Sequence, residues 1–216
     1  MSLSHSISKN SLLLFGFAIV AAGLLSATYQ GTKDTIAEAE RRAAEKALLE
    51  IIPASRIDNN LLLDTLKIPE FAAEQLGLSA EEEIHIARKN GEIIAVIVPA
   101  IAPDGYSGDV KMIVGVNANG SIAGVRVLTH GETPGLGDKI DLKKSDWITS
   151  FKGKSLERPS PELWKVKKDG GAFDQFTGAT ITPRAVVKQV REVLEFVKAN
   201  EKRLFDKIDQ SNPADS

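Results

Sequence analysis

Apolar and polar positions divide the chain into segments with different periods. From Asn10 to Thr32 there is no charged residue, and the apolar centre of that run is Leu12 to Leu25. A bilayer core of about 30 Å needs about 20 helical residues, so the run is long enough to span one, with Tyr29 at an interface. A cleaved signal peptide fits less well, because Leu24 and Leu25 stand where small residues should precede a cleavage site. The spacing therefore predicts a tail and single transmembrane helix over residues 1–32. Beyond it, Ile36, Ala39, Ala43, Ala47 and Ile51 recur at helical spacing. Thr35 and Glu38 form a candidate capping box, and Pro53 a stop. Residues 33–53 thus read as a separate linker helix of about four turns.

The period then changes. Ile84 and Ile86 alternate with polar residues, Asn90-Gly91 follows, and Ile93 to Val98 is continuously apolar. Asn-Gly between two apolar runs is a strong hairpin signal. Val110–Val116 and Ile122–Leu128 repeat the pattern about a turn at Asn117–Gly120. Near the end, Val186, Val190, Leu194 and Val197 lie on one face of a helix. The expectation is an α+β fold: antiparallel β-hairpins packed with helices, over residues 54–200, behind the single membrane helix. Residues 201–216 read as a polar tail, and 54–80 give only a weak pattern of leucine clusters.

Composition narrows the function. Among 216 residues, 27 are Lys or Arg and 29 Asp or Glu, for a net charge of −2, so there is no basic footprint for nucleic acid. With no cysteine, disulfides, thiolate metal sites and cysteine nucleophiles are excluded. Charge does not settle the orientation of the span: Lys9 precedes it, and Lys33, Asp34, Arg41 and Arg42 follow.

Three segments could carry chemistry. In Asp174–Val187, DQFTGATITPRAVV, the threonines Thr177, Thr180 and Thr182 crowd around Gly178 and Ala179. Thr182 before Pro183 reads as the helix N-cap, with proline at the first helical position. Thr180 then lies on the approach to the positive end of the helix dipole, where a phosphate would be favoured. The second segment is Thr129–Ile140, THGETPGLGDKI. Gly131, Gly135 and Gly137 expose backbone amides there, Pro134 stiffens the turn, and His130 and Glu132 project alternately. The third brings Lys165, Lys167 and Lys168 just ahead of the threonines, where ammonium groups would help hold a phosphate. From spacing alone, ordinary turns and a solvated charged face account for all three. His5 and His85 are isolated, and no residue is assigned a catalytic or metal-binding role.

Asp174-Gln175-Phe176-Thr177-Gly178-Ala179-Thr180 resembles the flavinylation motif D-x-x-[ST]-G-A-[ST] of the FMN-binding-domain family. Glu132-Thr133-Pro134-Gly135-Leu136-Gly137 resembles the second signature of that domain. A span, Gly105-Tyr106-Ser107-Gly108, the ETPGLG loop, the threonine motif and a helix follow in the family's order, as far as about Ala199. The arrangement is more similar to the RnfG family of Rnf (Rsx) ion-translocating electron-transport complexes than to the NqrC family of the sodium-translocating NADH:quinone reductase, which shares both motifs. The resemblance implies FMN joined to Thr180 through a phosphoester, with Thr177, Gly178 and Ala179 beside it. The ring would lie near the loop, lined by Glu132, Thr133, Gly135 and Leu136, with His130, Lys167 and Lys168 close to the cofactor. It implies a separate flavin transferase using FAD and a divalent metal, with Asp174 helping recognition. It further implies an electron-relaying, ion-translocating complex in the bacterial cytoplasmic membrane, with the FMN domain on its outer, periplasmic face. An anchored, non-redox anion-binding module is the alternative in a different class.

Overall fold

The computed structural model describes residues 3–78 and 82–205. By internal contacts the chain divides into two units, Met1–Ala44 and Glu45–Ser216. The first belongs to α1, Leu3–Ile51, one continuous helix of 49 residues. Asn10–Lys33 within it is long and apolar enough to cross a membrane. The anchor and the linker helix are therefore not separate helices. The capping box read at Thr35 and Glu38 caps nothing: Glu38 instead pairs with Arg42 one turn on. The change of composition from Lys33 onward leaves the helix unbroken, so it only mimicked a helix start.

The second unit is a five-stranded antiparallel meander in sequence order: β1 Thr65–Lys67, β2 Glu83–Lys89, β3 Glu92–Ala102, β4 Val110–Asn117 and β5 Ile122–Thr129. The β2–β3 turn is as expected. Asn90 and Gly91 take φ of 53° and 77°, both left-handed, as the tight hairpin turn matched to strand twist requires. A short helix α2, Glu70–Leu76, follows β1; neither element stands out in the weak pattern of residues 54–80.

The continuous apolar run of β3 is explained by cover on both faces. On one face, Ile86, Val96, Val98, Met112, Val114 and Val125 meet α3, Ile181–Ala199. The expected stripe Val186, Val190, Leu194 and Val197 is buried there. On the other, Leu48, Ile51 and Ile52 at the end of α1 pack with Ala95, Ile97, Ile113 and Ala123. Arg126 on β5 pairs with Glu50 at 3.0 Å. A short helix α4, Glu201–Phe205, buries Leu204, so the chain read as tail from residue 201 is still part of the core there. Residues 206–216 of that tail lie outside the described residues.

Candidate functional site

The site gathers where β5 ends and α3 begins. Past Thr129, the Glu132 N–H donates to His130 Nδ1 at 3.1 Å, which fixes that ring nitrogen as an acceptor. Thr133 to Leu136 then form a turn in which the Leu136 N–H donates to the Thr133 carbonyl at 3.1 Å. Pro134 takes its second position and Gly135, at φ 77°, its third. That position needs a left-handed residue, and glycine supplies it without steric cost. The buried Asp138 carboxylate accepts from the Gly135 N–H at 2.8 Å and steadies the turn.

The threonine motif makes a second turn of the same kind. The Ala179 N–H donates to the Phe176 carbonyl at 3.1 Å, with Gly178 at φ 80° in the third position. The two turns meet. A Cβ placed on Gly178 would lie 3.8 Å from Leu136 Cδ2, so the two loops, far apart in sequence, are neighbours.

A buried aromatic cluster holds the motif rigid. Phe173 stacks on Phe151 with centroids 4.7 Å apart, Phe176 meets Trp147 edge-on at 5.1 Å, and Trp147 Nε1 donates to the Asp174 carbonyl at 2.8 Å. Asp174 and Thr177 between and beyond these anchors are exposed. Sequence reasoning passes over the cluster. Its signal is five aromatics at positions 147, 151, 164, 173 and 176 in a chain with only twelve.

The helix start differs from expectation. α3 begins at Ile181, Thr180 holds the N-cap position, and its side chain makes no capping hydrogen bond. Thr182 is not the cap. It lies inside the first turn, fully buried, and its hydroxyl donates to Glu132 Oε2 at 2.5 Å. Proline is tolerated throughout a first turn, whose N–H groups have no intrahelical acceptor, so Pro183 could not fix the boundary. Thr180 is left half-exposed beside the amides of Ile181 and Thr182, which have no intrahelical acceptor.

Glu132 is 5% exposed, and both its oxygens are engaged: Oε2 by Thr182 and Oε1 by the Ser107 N–H at 3.0 Å. Lys167 pairs with Asp174 at 2.6 Å, so that lysine sits on the motif's own carboxylate. The Lys168 N–H donates to Gln175 Oε1, and its side chain is exposed. Arg184 grips Asp169 through two contacts of 2.6 Å, and its hydrogen bond holds that carboxyl below the usual range. Around the two turns Tyr106, Leu128, Leu136 and Ile181 are between 44% and 68% exposed, apolar surface that a flat aromatic ligand could cover.

The residues fit a flavin phosphate. A hydroxyl with no capping hydrogen bond stands at the positive end of a 19-residue helix, two glycine turns leave room for close approach, and exposed apolar side chains lie nearby.

The FMN-binding domain matches residues 105–195, and the RnfG N-terminal region residues 1–51. The chain is 51% identical over 201 residues to the G subunit of the ion-translocating oxidoreductase complex of Pseudomonas aeruginosa, covering 93% of each chain. The protein of the same name from Vibrio atlanticus is 48% identical, with 93% of this chain and 95% of that one covered. For Vibrio cholerae the identity is 42%, with 97% and 98% covered. Among solved structures, the crystal structure of Shewanella oneidensis NqrC is similar at 23% identity and a TM-score of 0.48, covering 70% of this chain and 72% of that one.

Proposed function

This chain belongs to the RnfG family, the G subunits of ion-translocating oxidoreductase complexes, and from that membership we propose that it is the membrane-anchored flavoprotein of such a complex, carrying FMN on Thr180. FMN, when bound, supplies one- and two-electron transfer; the protein supplies position, dielectric and hydrogen bonds. The observation that carries the reading is Thr180 at the N-cap position of α3, with no capping hydrogen bond from its side chain, directly after a motif turn that lies beside the Thr133–Leu136 turn.

In this reading the Thr180 oxygen forms the phosphoester. A flavin transferase moves the FMN phosphoryl group from FAD to that oxygen. AMP leaves with the bridging oxygen, and the hydroxyl proton is released. The amides of Ile181 and Thr182 and the dipole of α3 favour the phosphate, which keeps a negative charge. Thr177, Gly178 and Ala179 shape the turn that presents Thr180, and Asp174 offers the transferase an exposed carboxylate. Thr133, Gly135 and Leu136 would line the ring, and His130 stands just past the end of β5. Lys167 and Lys168 add positive charge near the phosphate. Nothing here requires an acid or base from this chain. Its partners are the other subunits of the complex, which deliver and accept electrons, and the transferase during maturation. The anchor remains in the mature protein, and the FMN domain faces the periplasm.

Intact-mass and peptide mass spectrometry after coexpression with the transferase tests the assignment. Wild type should gain one FMN less one water on the peptide containing Thr180, and its yellow colour should survive denaturation. Thr180→Ala should fold and stay colourless. Added mass on that variant, or fragment ions placing it on Thr177 or Thr182, would overturn the assignment. A wild type that stays colourless with the transferase present would favour the anion-binding module.

A further inference from the structure

We infer that Glu132 is a positioning residue: through the Thr182 hydroxyl and the Ser107 amide it sets the first turn of α3, and with it Thr180, against the Thr133–Leu136 turn. The inference rests on the reading that Thr180 carries the flavin.

Glu132 is buried, and no ion pair among the described residues includes it. A carboxylate removed from water without a cation depends on hydrogen-bond donors. It has one on each oxygen, and they come from segments far apart in sequence: Ser107, 25 residues upstream, and Thr182, 50 residues downstream. Two glycines are shaped around it. A Cβ on Gly137 would fall 2.6 Å from Oε2 and 2.9 Å from Thr182 Oγ1. One on Gly105 would fall 2.9 Å from Oε1 and 2.1 Å from the Gly108 carbonyl oxygen. Three chain segments thus close on one side chain.

That clasp reaches Thr180 by a short, stiff route. Thr182 is two residues further along and lies inside the first helical turn, so a shift of its hydroxyl carries the N-cap position with it. On the other side, Glu132 directly precedes the turn whose Leu136 side chain lies beside Gly178. One carboxylate therefore fixes both partners of the contact between the two turns. It does so from inside the fold, with each oxygen already accepting a hydrogen bond from the protein.

The test uses the full-length protein in detergent. Thr182→Val keeps the shape and removes the hydroxyl, Thr182→Ser keeps the hydroxyl, and Glu132→Ala removes the clasp. Thermal melts establish that each variant is folded at the assay temperature. Two readouts follow: the initial rate of FMN attachment by the transferase, and hydrogen exchange of the unmodified protein. Thr182→Val and Glu132→Ala should each slow attachment by about tenfold, because small misplacements of a reacting group are costly. Thr182→Ser should restore the rate, and the double variant should be no slower than the worse single one, because both residues act as one unit. In the attached protein Thr182→Val should shift the flavin's midpoint potential, which Thr182→Ser should not. In exchange, Thr182→Val should loosen Gly105–Gly108 and Ile181–Arg184 together. Wild-type attachment rates in folded Thr182→Val, additive losses in the double variant, or loosening confined to the helix would overturn the inference. If wild type gains no flavin, the assignment of Thr180 fails, and the exchange pattern alone still decides whether Glu132 clasps the two segments.

Discussion

Thr180 and Thr182 are two residues apart and have opposite environments. One hydroxyl is half-exposed with no capping partner; the other is buried on a carboxylate. The motif and the approaching helix were legible in sequence, because glycine, alanine and proline each constrain the backbone in a known way. The partner of Thr182 was not, since Glu132 lies 50 residues away and nothing local points to it. His85 illustrates the same limit. It looks isolated in sequence, yet it is half-buried with Nδ1 2.8 Å from the Leu61 carbonyl, to which it donates. Burial pushes its pKa below the ordinary 6.5, against the Leu61 hydrogen bond and the charges of Glu83 and Glu82, which raise it. The folded chain therefore takes up this proton less readily than the unfolded chain. The stability contribution is complete above the unfolded value and is lost as pH falls from there through the lower folded value. Thermal melts between about pH 7.5 and about pH 5 should show a steeper loss for wild type than for His85→Gln. Parallel curves for the two proteins would refute this.

At the level of elements, periodicity did well where an element buries one clear face or ends in a constrained turn. The Asn90-Gly91 hairpin and the apolar stripe of α3 are cases of this. It did poorly where elements are short: β1 has three residues, and its existence depends on pairing with β2. The close packing of α1 on the sheet also escaped, because it rests on two glycines that look like strand-weakening residues in sequence. Gly115 and Gly124 are directly paired across β4 and β5, and both lie under Ile51. They differ in the room they leave. A Cβ on Gly115 would stand 2.3 Å from Ile51 Cγ2, whereas one on Gly124 would meet nothing outside its own chain neighbours closer than 3.5 Å. Ile51 is buried and β-branched, so its rotamer has little freedom to yield. Gly115→Ala should therefore lower stability by about 1–3 kcal/mol through overpacking, and Gly124→Ala should be close to neutral. Urea unfolding of the two variants measures the contrast, and equal midpoints would mean that the helix end yields freely.

For the whole molecule, the chain resolves into a segment suited to a bilayer and a compact α+β unit with the FMN-binding signatures. Composition made both visible early, but charge left the direction of crossing open, since positive residues flank the span on both sides. Topology is therefore the property on which sequence physics is weakest and the proposed role most dependent. A flavoprotein on the outer face needs its domain exported and its N-terminus retained in the cytoplasm. The absence of cysteine makes this directly measurable, because any introduced thiol is the only one in the chain. Lys152 is exposed and makes no ion pair among the described residues, so Lys152→Cys should leave the fold intact. In intact spheroplasts a membrane-impermeant maleimide should label Lys152→Cys and spare Ser6→Cys, which should react only after permeabilisation. Both proteins should stay in the membrane pellet after a carbonate wash, because Asn10–Lys33 is expected to stay uncleaved. The reverse labelling pattern would put the FMN domain in the cytoplasm and overturn its proposed placement on the periplasmic face. A soluble product starting after Ser26 or Ala27 would show that the span is a cleaved leader.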